Sequence, residues 1–214
     1  MIIPKLHYIS QGNSPKEHVQ NIQKACTSGI ELVQLNLEGI SEKKLLKLAT
    51  EAREITSHFQ TRLIINADYK VAKTIKADGV YVTKTDVCLT VARKQLYSWQ
   101  GIGAAANTLE DCEILITKDV DYIILSPFRN IITTDPKHVE LGLNGYTAIV
   151  EALNTETPLI GFGGILTDDV KAILETGISG IAVSDTITRN FDSIKLFNQL
   201  LNASVTAEQR HTFE

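Results

Sequence analysis

At 214 residues, with 43% hydrophobic and 21% charged side chains, the chain is long enough for one well-filled core and too apolar to be disordered. A formal net charge of −4, with lysines and arginines scattered singly, gives no basic field for a nucleic-acid backbone. No apolar run approaches a membrane span, and Met1-Ile2-Ile3-Pro4-Lys5-Leu6 does not read as a secretory leader, so a cytoplasmic protein is expected.

The first strand is expected over Leu6–Ser10. Ser14-Pro15-Lys16-Glu17 then reads as a capping box with Pro at the first helical position. Gly29 introduces a second strand over Glu31–Leu37. Leu45, Leu48, Ala52, Ile55 and Phe59 follow as one apolar stripe at helical spacing, the mark of a core-facing helix. Strands are expected next over Arg62–Asn66, over Gly79–Val82 after Ala77-Asp78-Gly79, and over Gly101–Ala105. Asn107 with Glu110 resembles another capped helix start. The sixth strand is Tyr122–Ser126, followed by the one long connection, the polar segment from Pro127 to Gly142, which reads as a lid or a mobile loop. Leu159–Gly163 and Gly180–Ser184 (after Gly177) complete the strands, and Thr167-Asp168-Asp169 places acids at a helix start.

Several of these runs, such as Leu63-Ile64-Ile65 and Ile123-Ile124-Leu125, are apolar without alternation, as strands covered on both faces are. Eight strands, each followed by a helical stretch, predict an α/β fold: a single-domain (β/α)8 TIM barrel over residues 1–214, with 203–214 as a flexible-tail candidate.

Cys26, Cys88 and Cys112 are odd in number and lack metal-ligand or redox spacing, so they read as reduced thiols. His7, His18, His58, His138 and His211 are equally dispersed. In a barrel the reactive groups stand at the C-terminal strand ends and in the βα loops. Those positions hold Gln34, Asn36 and Glu38; Asn66 and Asp68; Thr83, Lys84 and Asp86; Asn107; Gly163 and Gly164; and Ser184-Asp185-Thr186. The Gly163-Gly164 pair reads either as a phosphate cradle of backbone N–H groups or as a tight turn needing positive φ.

Val33-Gln34-Leu35, Ile64-Ile65-Asn66, Ala77-Asp78-Gly79-Val80, Asp121-Tyr122-Ile123, Ser126-Pro127, Gly142-Leu143, Gly163-Gly164-Ile165 and Gly180-Ile181-Ala182-Val183 are each short. Their order and spacing together resemble the thiamine phosphate synthase/TenI family along nearly the whole chain. The resemblance implies a (β/α)8 barrel, often a homodimer, in thiamine biosynthesis. Synthases of that family are transferases that join a pyrimidine-methyl pyrophosphate to a thiazole phosphate, releasing pyrophosphate with Mg²⁺ assistance, whereas TenI members tautomerise the thiazole. Carried over by position, Gln34 and Asn66 match pyrimidine contacts, Asp86 matches one of two metal-binding aspartates, and Gly163 and Gly164 match the thiazole-phosphate loop. Ser184 and Asp185 fall at the last phosphate amide, and Lys137 is the nearest candidate for the lysine after strand six.

The departures from that pattern are substantial. Gln-Leu-Arg-x-Lys is here Gln34-Leu35-Asn36-Leu37-Glu38, so both pyrophosphate-binding cations are absent and one position is acidic. Ala67 stands where the family has its other metal aspartate, Ala105 replaces a serine, Asn107 a proton-transferring histidine and Asp185 a serine. Each well-placed charge near a partly shielded site is worth about 4 kcal/mol, or roughly three decades in rate. Two functions are therefore expected: a synthase with a depleted pyrophosphate and Mg²⁺ site, or a repurposed, non-catalytic barrel that binds a thiazole- or pyrimidine-type ligand. Asp86 alone is expected to hold Mg²⁺ poorly, Asp185 to cap the last short helix and occlude the phosphate site, and Lys84 and Arg129 to be the candidate replacement cations.

Overall fold

The structure, a computed structural model, describes residues 2–83, 89–130 and 139–210. Eight strands follow one another: β1 (Leu6–Ile9), β2 (Leu32–Leu35), β3 (Arg62–Asn66), β4 (Gly79–Val82), β5 (Gly101–Ala106), β6 (Tyr122–Leu125), β7 (Leu159–Phe162) and β8 (Gly180–Val183). Each pairs in parallel with the next, and β8 returns to β1 through Leu6↔Ile181 and Tyr8↔Val183, closing the barrel. Around it lie α1 (Pro15–Thr27), α2 (Glu42–Phe59), α3 (Tyr69–Thr74), α4 (Leu89–Gln95), α5 (Leu109–Ile116), α6 (Gly142–Leu153), α7 (Val170–Glu175), α8 (Asp185–Arg189) and α9 (Ser193–Arg210). Among the described residues, no helix is long and apolar enough to cross a membrane.

The strands agree with the sequence reading except at their ends. Ser10, Ser126, Gly163 and Ser184, read as last strand residues, each stand one position beyond the last residue of the strand. There the backbone turns into the βα loops, and a polar or glycyl residue suits the loop better than the sheet.

Alternation along the strands sorts the apolar residues into two layers. Ile9, Leu32, Ile64, Tyr81, Tyr122, Ile124, Ile160 and Ala182 fill the barrel interior. Their neighbours, among them Tyr8, Val33, Leu63, Val80 and Val183, pack outward against the helices. On α2 the stripe is core at Leu45, Leu48 and Ala52 and runs out at Phe59, which is 39% exposed.

Two helix starts differ from expectation by one residue. Ser14 Oγ accepts from Glu17 N at 3.3 Å, but the Glu17 carboxylate takes Asn13 N at 2.7 Å, not the Ser14 amide a capping box would use. The cap of α5 is Thr108 with Asp111, in a full capping box, and Asn107 is left in the loop before it. Thr108 and Asp111 carry the Ser/Thr-x-x-acid pattern, and the Asn107–Glu110 reading lies one residue upstream of it.

A repeated clamp ties the N-terminal end of the barrel. Asp78, just before β4, accepts Leu63 N at 2.9 Å and pairs with Arg53 of α2 at 2.6 Å. Asp121, just before β6, accepts Ile102 N at 2.8 Å and pairs with Arg93 of α4 at 2.6 Å. Each aspartate thus joins the strand before it to the helix that precedes that strand. Removing the carboxylate leaves a strand N–H and a guanidinium without their shared acceptor, so Asp121→Ala is expected to lower the unfolding free energy by about 1–3 kcal/mol. Because this end is opposite the βα loops, ligand affinity is expected to stay at the wild-type value; denaturant melts and calorimetry check both.

His7 lies inside the same end, 1% exposed, with its Nε2 on Pro4 O at 2.9 Å and its ring edge-on to Tyr122. Burial holds the imidazole down from 6.5 to about 4. As pH falls the unfolded chain is protonated first, so this contribution is complete above pH 6.5 and is lost as pH drops to about 4. The expected loss is about 3 kcal/mol across that window, and it should be largely absent in His7→Gln. Urea unfolding of both proteins across the window measures it.

Candidate active site

Barrel closure puts every C-terminal strand end on one rim, so Gln34, Asn66, Asn107, Gly163 and Asp185 stand at or just beyond the same end. Gln34 and Asn66 are inward-facing and nearly buried, 3% and 5% exposed. Gln34 Nε2 donates to Asn66 Oδ1 at 3.4 Å, and Asn66 Nδ2 donates to Glu38 Oε1 at 3.4 Å. This chain of two amides and a carboxylate crosses from β2 through β3 to the loop after β2. Both contacts are long, leaving the amides free to re-aim toward a planar heterocycle.

Two further residues hold this side of the rim. Ser10 Oγ, buried just past β1, accepts from Asn36 N at 3.0 Å and shares a 3.0 Å hydrogen bond with His18 Nδ1 of α1. Burial lowers the His18 pKa from its usual value, so the neutral ring is favoured there. Neither residue carried a signal in the sequence: Ser10 read as a strand end and His18 as one of five scattered histidines.

The opposite side is built from the loops after β6, β7 and β8. Gly163 (φ 106°) and Gly164 (φ 66°) both occupy the region that disfavours a side chain, and a Cβ on Gly163 would stand 3.0 Å from Pro127 Cα. Among the described residues, no acceptor takes the N–H of Gly163 or Gly164. Thr186 Oγ1 donates to Ile165 O at 3.1 Å, which draws the start of α8 against this loop. Ser184 Oγ donates to Ile9 O at 2.8 Å and so ties β8 to β1.

The charged side chains differ from expectation. Asp185 does not cap α8: its carboxylate is turned outward onto Arg189, at 3.0 Å from both Nε and a terminal guanidinium nitrogen. An i,i+4 arginine satisfies that carboxylate in solvent, where neither group is desolvated. Arg129, expected as a replacement cation, forms a two-pronged pair with Asp169 (2.9 and 3.1 Å) and donates to Gly164 O at 2.7 Å. Its charge is answered by Asp169, and its role is to fasten the loop after β6 to the glycine loop. The side-chain amide of Asn107 donates to Ser126 O. Lys84, Asp86 and Lys137 lie outside the described residues.

The described donors do not fit Mg²⁺. Ala67 has no ligating side chain, and the neighbouring Asp68 accepts Val71 N at 2.9 Å as the cap of α3. Among the described residues, no three His, Cys, Asp or Glu side chains form a group that could hold a metal ion.

Comparison with known proteins accounts for this architecture. The model of a family described as thiamine monophosphate synthase matches residues 6–187. The thiamine-phosphate synthase of Flavobacterium johnsoniae is 37% identical over 206 residues, covering 95% of this chain and 97% of that protein. That of Bacteroides fragilis is 30% identical over 202 residues, covering 92% and 98%. A thiamine phosphate pyrophosphorylase structure from Pyrococcus furiosus has the same fold, with a TM-score of 0.80 at 23% identity and coverage of 93% and 96%. The chain belongs to the thiamine monophosphate synthase family.

Ala67 itself is conformationally costly. Its φ of 59° is left-handed, and its N–H donates to Tyr81 O at 2.7 Å, which fixes it there. Ala→Gly ordinarily destabilises, but here relief of the Cβ clash outweighs the extra freedom of the unfolded chain. Ala67→Gly is expected to raise the unfolding free energy by about 0.5–1 kcal/mol, read from denaturant midpoints at constant slope.

Proposed function

We propose that this protein binds the pyrimidine and thiazole-phosphate ligands of thiamine phosphate synthesis at the C-terminal rim, with pyrophosphate displacement largely lost. The observation that carries this reading is the Gln34–Asn66–Glu38 chain: two buried amides suited to a pyrimidine, ending on a carboxylate where departing pyrophosphate needs cations. Gln34 and Asn66 orient the heterocycle. Gly163 and Gly164, with Ser184 and the first amides of α8 beside them, receive the thiazole phosphate, and Asp185, paired with Arg189, stands clear of it. Lys137 and Asp86 keep the phosphate and metal roles that the family resemblance assigns them, but Ala67 removes the partner Asp86 would need. Mg²⁺, where bound, would neutralise the leaving pyrophosphate. A cytoplasmic, single-domain protein over residues 1–214 fits this role.

The alternative, a working thiamine-phosphate synthase, draws on the names of the relatives at 30–37% identity. Titration calorimetry and a coupling assay separate the two. The wild type is expected to bind thiazole phosphate and the uncharged hydroxymethyl-pyrimidine, to bind the pyrophosphorylated pyrimidine no more tightly, and to show no effect of Mg²⁺. The combined variant Asn36→Arg, Glu38→Lys, Ala67→Asp is expected to tighten the pyrophosphorylated ligand and raise coupling by about two to three orders of magnitude. Wild-type turnover of about 1 per second or faster would establish the synthase reading instead.

A further inference from the structure

Tyr146 sits on the inner face of α6 and is fully buried. Its hydroxyl donates to Leu125 O at 3.1 Å and accepts from Phe162 N at 3.0 Å, so one side-chain oxygen joins the last residues of β6 and β7. Gly161 makes room for it: a Cβ there would stand 2.9 Å from Tyr146 Oη. An apolar ring would fill the same space, so the hydroxyl contributes the two polar contacts and little else. Burial pushes the phenol up from its usual pKa, which keeps the O–H in place as a donor at any ordinary pH.

The two strand ends lead directly into the glycine loop. Phe162 is held at both of its peptide groups, its N–H by Tyr146 and its C=O by Phe128 N at 2.7 Å. The Gly163 N–H shares the peptide plane of that C=O, and Gly163 O accepts from Arg129 N at 3.0 Å. Gly163 and Gly164 carry no side chains with which to fix themselves, and both sit at positive φ, so their direction is set by Arg129 on their carbonyls and by the groups that hold the Phe162 peptide before them.

We infer that Tyr146 is a positioning residue whose hydroxyl sets the direction of the Phe162–Gly163 peptide, and with it the N–H donors offered to a phosphate ester. This rests on the reading of Gly163-Gly164 as the phosphate cradle. It assigns specificity for the phosphate-bearing ligand to a residue that touches no ligand and lies in the outer helical layer.

Tyr146→Phe keeps the ring and removes both hydrogen bonds. Titration of wild type and variant with thiazole phosphate, inorganic phosphate and the uncharged hydroxymethyl-pyrimidine is expected to show phosphate ligands weakened about five- to tenfold and the pyrimidine unchanged. Amide hydrogen exchange at Gly163 and Gly164 is expected to speed up, with exchange in β2 and β3 unaltered. Gly161→Ala, which displaces the hydroxyl while leaving Tyr146 in place, is expected to reproduce the pattern if Tyr146→Phe does not fold. Unchanged phosphate affinity in either folded variant, or equal weakening of phosphate and pyrimidine, overturns the inference and leaves Tyr146 a structural tie. A wild type that binds the pyrimidine but no phosphate ligand overturns the cradle reading itself, and this inference with it.

Discussion

The pairing of β8 with β1 is the constraint on which the molecule turns. Parallel strands all point one way, so once the last meets the first their C-terminal ends form a single ring, and residues more than a hundred positions apart become neighbours. Ser184 Oγ on Ile9 O is the direct expression of that closure at the rim, joining residues 175 positions apart. Without it, Gln34 and Asn66 on one side and Gly163-Gly164 on the other would belong to separate surfaces. The aspartate clamps at Asp78 and Asp121 serve the closed ring from its other end, where their rigidity does not limit the loops.

The rim divides chemically. On the β1–β3 side, neutral amides lead to a carboxylate, with Ser10 and His18 holding the loop that bears Asn36. On the β6–β8 side, the glycine N–H groups meet no acceptor among the described residues while their carbonyls are taken by Arg129. On the function proposed above, a neutral heterocycle goes to the first side and a phosphate ester to the second. Glu38 on the first side disfavours a second cluster of negative charge there.

Among the described residues, the charges of Asp185 and Arg129 on the β6–β8 side are compensated within the protein. Asp185 is answered by Arg189, and Arg129 by Asp169. Each pair removes a charge that the sequence alone would have offered to a ligand: a repulsive carboxylate in one case, an attractive guanidinium in the other. Among the described residues, what remains for a phosphate on this side is the peptide dipole, which depends closely on orientation. That dependence gives a buried tyrosine hydroxyl leverage over the loop.

The eight strands, the closed barrel and the family were legible in the amino-acid sequence, because apolar runs with glycyl or polar ends are local signals that burial on both faces enforces. The positions of Gln34, Asn66, Gly163 and Gly164 followed, since they are fixed by where each strand ends. The partners of the charged and hydroxyl side chains did not follow. Asp185 read as a helix cap and Arg129 as a free cation because their partners are set by rotamer and loop geometry: an arginine four residues on in one case and an aspartate forty residues on in the other. Ser10 with His18, and Tyr146 with Leu125 and Phe162, were silent for the same reason. A hydrogen bond between separate elements leaves no periodicity in the chain and exists only once packing has brought its donor and acceptor within about 3 Å.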